Sequence, residues 1–149
     1  MQLAMNSSRG WILNAIVLLA IVGIVVSSVS LYHHYEKSES SFCDFGGSFN
    51  CDIVNRSIYS TVFEVPVALI GILGYLILAI LTRFCRKNVK GKTFLLITAL
   101  AGLAFALRLT YIEGFVLAAW CVLCLTSLAL ISTITVLAAT FVLRANRSV

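Results

Sequence analysis

The chain has 149 residues, of which 60% are hydrophobic and 11% are charged, and its mean hydropathy is +1.02. An ordinary soluble domain carries about 25% charged residues, so this composition excludes a soluble protein and indicates a protein of the lipid bilayer. The formal net charge is +5. Basic residues are concentrated in segments that we predict to face the cytoplasm, so the charge does not require a nucleic-acid partner.

Long apolar runs and a single proline predict an all-α fold, because helices satisfy their own backbone hydrogen bonds in lipid and a small open sheet does not. We predict an integral membrane four-helix bundle that forms one domain over residues 1–149. The first apolar segment exceeds that of a secretory signal, and no clear cleavage site follows it, so we interpret it as a retained helix. The predicted spans, each near the roughly 20 residues that cross a bilayer, are residues 11–32, 61–84, 93–111 and 115–143.

The loop between the first two spans, residues 33–60, contains Cys43 and Cys51. It has two basic and four acidic residues, so the distribution of positive charge places it outside the cytoplasm, where disulfides form and persist. Gly46 and Gly47 lie between the two cysteines and would let Cys51 swing toward another thiol. We predict a redox-active pair, with a disulfide that only staples the loop as the alternative.

The connection between the second and third spans is basic. Lys and Arg residues also flank the first and last spans, so this connection and both chain termini are predicted to be cytoplasmic. Cys85 lies at this cytoplasmic end, away from the other cysteines, and is predicted to be a free thiol. The basic residues of the connection are Arg83, Arg86, Lys87, Lys90 and Lys92.

The fourth span contains a C-x-x-C motif formed by Cys121 and Cys124. On a helix that begins near Phe115, these cysteines would lie about 9 and 14 Å from the outer end and share one face. Such a motif binds zinc or acts as a redox dithiol. The apolar spacer between the cysteines offers no side chains to orient zinc ligands, so we predict a dithiol and no metal site.

Charged residues near the outer ends of the third and fourth spans suggest a supporting role. Arg108 lies inside the third span, where a charge is costly without a partner or a route to the surface. Glu64 and Glu113 are the predicted counter-charges. His33 and His34 follow the first span, where they would be solvated or would carry protons.

Two cysteine pairs on one face of the membrane predict an enzyme that moves electrons by thiol–disulfide exchange. The inner pair is embedded and no flavin or iron–sulfur signature is present, so the predicted acceptor is a lipid-soluble quinone of the ubiquinone or menaquinone type. Trp120 is predicted to line the quinone site, although tryptophan is also common at the membrane interface. The alternatives are a transporter that passes soft metals between thiolates and a disulfide-stapled scaffold.

The sequence resembles bacterial and archaeal homologues of vitamin K epoxide reductase from Trp11 to about Leu143. The elements that carry the resemblance are Cys43-x7-Cys51-Asp52-x-Val54, Ser57-x-Tyr59-Ser60, Pro66-x-Ala68-x-x-Gly71-x-x-x-Tyr75, Tyr111-x-Glu113 and Cys121-Val-Leu-Cys124.

This resemblance implies a four-helix bundle around a quinone and a role for each paired cysteine. Cys124 would lie nearest the quinone, Cys121 would exchange with Cys51, and Cys43 would meet a thioredoxin-like partner outside the cytoplasm. Ser57 would lie near the quinone, with a helix cap as the alternative. The implied localisation is a prokaryotic plasma membrane, and the activity of vertebrate members on vitamin K epoxide remains open.

The chain departs from the family pattern at two places. Glu64 occupies a position where bacterial homologues often carry glycine, and Val122-Leu123 replaces a common Pro-Trp spacer. Some bacterial relatives also carry a fused thioredoxin-like domain. That domain is not found in this sequence, so the predicted partner is a separate polypeptide.

Overall fold

The fold was analysed in a computed structural model that describes residues 2–35, 51–55, 57–62, 64–88 and 91–146. Cys43, Gly46 and Gly47 lie outside the described residues. The described part is almost entirely helical, which confirms the predicted all-α class.

Among the described residues, four helices are long and apolar enough to cross a membrane, as predicted. A short helix, α2, and a one-turn 3-10 helix at Ile58–Ser60 precede a two-stranded hairpin, and a π-helical turn at Glu113–Leu117 follows α4. The elements are α1 Gln2–Tyr35, α2 Cys51–Asn55, β1 Thr61–Val62, β2 Val65–Pro66, α3 Val67–Lys87, α4 Lys92–Ile112 and α5 Val122–Asn146.

The second long helix begins later than the predicted start at residue 61. Strands β1 and β2, at residues 61–62 and 65–66, form an antiparallel hairpin in which Val62 is paired to Val65. Glu64 has a left-handed backbone with φ 65° at the turn, a conformation that glycine adopts more easily. Helix α3 follows Pro66 directly, and Pro66 is its N-cap residue.

The last helix also begins later than predicted, at Val122 instead of residue 115. Residues 113–117 form the π-helical turn, and Ala118 adopts a left-handed backbone with φ 49°. Cys121 therefore precedes the helix and Cys124 lies in its first turn. The predicted depths of about 9 and 14 Å along one regular helix are consequently wrong.

Helix α1 packs against α3 and α5, and α4 packs mainly against α5. Buried apolar residues recur at helical spacing on the facing sides, as in Ile12, Ile16 and Ala20 of α1. Close approach depends on glycine at one crossing: a Cβ atom on Gly23 would lie 2.5 Å from the ring of Tyr75. This contact fixes Tyr75 between the helices, where its hydroxyl group contacts the Ser127 hydroxyl at 2.8 Å.

Candidate functional site

Two of the predicted redox cysteines meet where α2 packs beside the start of α5. The Sγ atoms of Cys121 and Cys51 are 3.3 Å apart. Both residues are almost completely buried, with exposed fractions of 0% for Cys121 and 1% for Cys51. Val54 and Ala119 pack around them and separate the sulfur atoms from water. A thiol held against another sulfur atom in this way is arranged for thiol–disulfide exchange.

The cysteines differ in redox state. Cys51 is disulfide-bonded, whereas Cys85, Cys121 and Cys124 are free thiols. The structure therefore presents an oxidised cysteine in contact with a reduced inner pair. Cys85 is buried near the opposite end of α3, beside Gly91, and takes no part in this cluster.

The irregular segment before α5 positions Cys121. The backbone N–H of Cys121 donates a hydrogen bond to Oε2 of Glu113 at 3.2 Å. The N–H of Ala119 donates to the backbone carbonyl of Glu113 at 3.1 Å. The regular hydrogen bonds of α5 begin with Leu125, whose N–H donates to the Cys121 carbonyl at 3.0 Å. Glu113 thus satisfies a backbone donor that the preceding turn leaves unpaired.

Glu113 is the site residue whose role the sequence did not reveal. Its exposed fraction is 2%, and its carboxyl group also interacts with the Cys124 thiol. Oε1 has no hydrogen-bond partner among the described residues. Arg108 is exposed on α4, so Glu113 interacts with the cysteine motif instead of balancing that charge. An acidic residue within an apolar run, eight positions before a cysteine, was the available signal.

The hydrogen bond from the Cys124 thiol lowers the pKa of the Cys121 thiol below its ordinary value. Burial and the nearby Glu113 carboxyl group oppose this effect, and backbone N–H groups of the first turn of α5 support it. A thiol of lower pKa is more often present as the thiolate and leaves a disulfide more easily, so this arrangement favours thiol–disulfide exchange at Cys121.

A cavity of about 350 Å³ lies between the long helices, next to Cys124. Its walls are mostly apolar, and its polar end is formed by α1, α2 and the π-helical turn. Cys124 lines it, whereas Cys51 and Cys121 do not. The two inner sulfur atoms therefore face different surroundings. The polar residues that line this end include Ser30, His34, Asn55, Ser57 and Glu113.

Ser57 and Trp120, the two other residues predicted to contact a quinone, lie in different places relative to the cavity. Ser57 lines the cavity, but its hydroxyl group already donates to the Val54 carbonyl at 2.8 Å. Trp120 does not line this cavity, and its place beside a quinone stays a prediction. Its ring packs over Gly114, where an added Cβ atom would lie 2.9 Å from it. Trp120 therefore holds the turn before α5.

The sequence matches the vitamin K epoxide reductase family over residues 14–139. The chain belongs to this family. Comparison with individually curated proteins finds no match. Family membership, together with the four apolar helices, identifies a membrane oxidoreductase.

Members of the family use quinones and generally work with thioredoxin-like partners. The described residues fit a quinone, because the cavity combines apolar walls with the Cys124 thiol and with an amide nitrogen of Asn55 that has no partner among the described residues.

Proposed function

We propose that this protein takes electrons from a reduced thioredoxin-like protein outside the cytoplasm and delivers them to a quinone, which supports disulfide formation in exported proteins. The observation that carries this proposal is the 3.3 Å contact between Sγ of Cys121 and Sγ of the disulfide-bonded Cys51. Two cysteine pairs that only stabilised separate segments would not need to touch.

The proposed internal step moves two electrons from the loop pair to the inner pair. We propose that Cys43, the first cysteine of the sequence, is the disulfide partner of Cys51. Reduction by the partner protein frees both thiols, and the Cys51 thiolate then attacks Cys121 of an inner disulfide, releasing the Cys124 thiolate. The Cys43 thiolate next attacks Cys51 and releases Cys121. The products correspond to the arrangement described above, with Cys51 oxidised and the inner pair reduced.

The second step oxidises the inner pair at the cavity. A bound quinone supplies an acceptor for two electrons and two protons. Cys124 is the inner thiol that lines the cavity, so it is the proposed thiolate at the ligand. Glu113 interacts with the Cys124 side chain and lines the same cavity. We assign it the transfer of a thiol proton toward the ligand, because a carboxyl group alternately accepts and releases a proton.

The proposed orientation follows from charge. Arg83 and Arg86 lie at the C-terminal end of α3, and Lys92 begins α4 at the same end of the helix pair. The cysteine cluster lies beyond the N-terminal end of α3 and the C-terminal end of α4. Positive residues remain cytoplasmic, so the cluster is outside the cytoplasm, in the prokaryotic plasma membrane that we propose as the location.

The test measures quinone reduction by purified protein with two electron donors, a small dithiol and a reduced thioredoxin-like protein. We expect wild type to use both donors and Cys124→Ala to use neither. Cys43→Ala should lose activity with the protein donor and retain part of it with the small dithiol. Cys85→Ala is the matched control, since this buried free thiol lies at the opposite end of α3, and it should keep wild-type activity.

Failure of wild type to reduce quinone with either donor would contradict the proposal. Full activity of Cys124→Ala would also contradict it, because the electrons would then bypass the thiol at the cavity. Tight binding of Cu(I) by the reduced protein, together with absence of turnover, would favour the metal-transporter alternative.

A further inference from the structure

Helix α1 holds Asn55 at the polar end of the cavity. The Ser30 hydroxyl group donates to Oδ1 of Asn55 at 3.1 Å. Nδ1 of His34 lies 2.6 Å from the backbone carbonyl oxygen of Asn55. Because a carbonyl oxygen only accepts a hydrogen bond, Nδ1 carries the proton. Ser30 and His34 are one helical turn apart and share one face. Both the backbone and one end of the Asn55 amide are therefore held in place.

The other end of the amide has no partner within the described part of the chain. Asn55 has an exposed fraction of 6%, and its Nδ2 atom is buried without an acceptor among the described residues. Asn55 also lines the cavity. A buried donor that lacks an acceptor is unfavourable, and such groups are rare unless water, an ion or a ligand completes them.

The neighbouring hydroxyl group is less suited to donate to a ligand. The Ser57 hydroxyl proton is used in the bond to the Val54 carbonyl, so Ser57 must break that bond to donate elsewhere. Asn55 can donate without losing an existing bond. The structure therefore offers a fixed and unused N–H group at the end of the cavity where Glu113 also lies.

We propose that Nδ2 of Asn55 donates a hydrogen bond to a ring carbonyl oxygen of the bound quinone, with Ser30 and His34 as positioning residues. The inference rests on the proposed function. It assigns a ligand contact to a residue that sequence analysis did not select. It also explains the Ser30 bond, which takes up Oδ1 and leaves the donor end of the amide for the ligand.

The test uses menadione and fully oxidised protein, which has no electrons to give, so binding is measured without turnover. Affinity is followed by tryptophan fluorescence quenching, and the carbonyl stretching frequency of the bound ligand by infrared difference spectroscopy. Asn55→Leu keeps the branch at Cγ and the number of side-chain heavy atoms and removes the donor. We expect its affinity to fall about tenfold, which corresponds to one hydrogen bond, and the lowered carbonyl frequency to return to the unbonded value.

Two further variants keep the inference falsifiable if Asn55→Leu folds poorly. Asn55→Asp offers only acceptors when ionised and should also lose the frequency shift. Ser30→Ala leaves the amide in place but free to turn, and should broaden the shifted band. Ser57→Ala should leave the shift unchanged.

The outcomes separate this inference from the proposed function. If wild type binds menadione and Asn55→Leu and Asn55→Asp match its affinity and spectrum, the Asn55 assignment is overturned and the proposed function stands. If wild type does not bind menadione, both fail. A spectral shift lost in Ser57→Ala but kept in Asn55→Leu would transfer the contact to Ser57. Exchange between Cys51 and Cys121, measured without quinone, should stay at the wild-type rate in Asn55→Leu.

Discussion

Glu113 has two separable tasks, and a pair of substitutions distinguishes them. Its Oε2 atom accepts the Cys121 N–H at 3.2 Å, and its carboxyl group is the proposed proton carrier beside Cys124. Glu113→Gln preserves an acceptor for the N–H group and removes the ability to exchange a proton. Glu113→Ala removes both. The two variants therefore predict different losses.

The expected magnitudes follow from the contacts. General acid–base catalysis contributes roughly 10²–10⁴-fold, so we expect Glu113→Gln to reduce quinone about 100-fold more slowly than wild type. Exchange between Cys51 and Cys121 should stay within about threefold, because the acceptor remains. Glu113→Ala leaves a buried N–H group unpaired, at a cost of about 1–3 kcal/mol. It should melt at a lower temperature and slow both reactions.

The assay separates the two steps in single turnover. Protein with a reduced inner pair is mixed with quinone, and the loss of quinone absorbance is followed. In a second experiment without quinone, the internal exchange is stopped with acid at intervals, and the released thiols are labelled. Quinone reduction by Glu113→Gln at the wild-type rate would refute the proton role. Wild-type stability and exchange in Glu113→Ala would refute the structural role.

Three further predictions concern the thiol pair and the backbone. In the reverse of the proposed second exchange, the Cys121 thiolate attacks Cys51 of the proposed Cys43–Cys51 disulfide, so the rate of this reverse reaction should rise with pH and level off above the Cys121 pKa, which the Cys124 hydrogen bond holds below its ordinary value. Cys124→Ala should move the midpoint of this pH dependence to higher pH, whereas Cys124→Ser, which still donates a hydrogen bond, should move it less. Labelling of the released thiol across a pH series measures the midpoint for each variant. Glu64→Gly should stabilise the protein by about 0.5–1 kcal/mol, because it removes a left-handed strain of roughly 1–2 kcal/mol, while ordering the more flexible glycine on folding costs about 0.5–1 kcal/mol. Thermal unfolding should show no such gain for Glu64→Ala, which keeps the strain. Gly23→Ala should destabilise by about 1–3 kcal/mol through the 2.5 Å contact with Tyr75, whereas Gly74→Ala, which meets nothing within 4 Å, should melt at or above the wild-type temperature, because alanine is the better helix former.

The number and class of the long helices followed from hydropathy, because each apolar run is long enough to cross a bilayer and few charges interrupt it. The hairpin strands at residues 61–62 and 65–66 are continuous with one of these apolar runs, so they were included in a predicted helix. Hydropathy does not distinguish a strand from a helix in a short apolar run. The β-branched residues Thr61, Val62 and Val65, followed by Pro66, were the local signal for strands.

The two cysteine pairs could be recognised from their spacing, but the residues that contact them could not. In the sequence, Asn55 falls in the polar segment between the first two predicted spans, and no periodic pattern marks it. Its importance depends on Ser30 and His34, which are distant in sequence and meet it only in the folded protein. The interaction between Glu113 and the Cys121 N–H likewise appears only after the chain has turned. Such contacts come from tertiary structure and leave little trace in composition or periodicity.

The interrupted start of α5 is the feature that allows the inner pair to connect two chemical environments. In a regular helix from residue 115, the Cys121 N–H would donate to the Leu117 carbonyl, and Glu113 would have no donor to bind. The break leaves that N–H group for Glu113 and places the Cys121 side chain against Cys51. Cys124, in the first turn, lines the cavity. One sulfur atom therefore contacts Cys51 while its neighbour faces the cavity, and a continuous helix would present both to the same side.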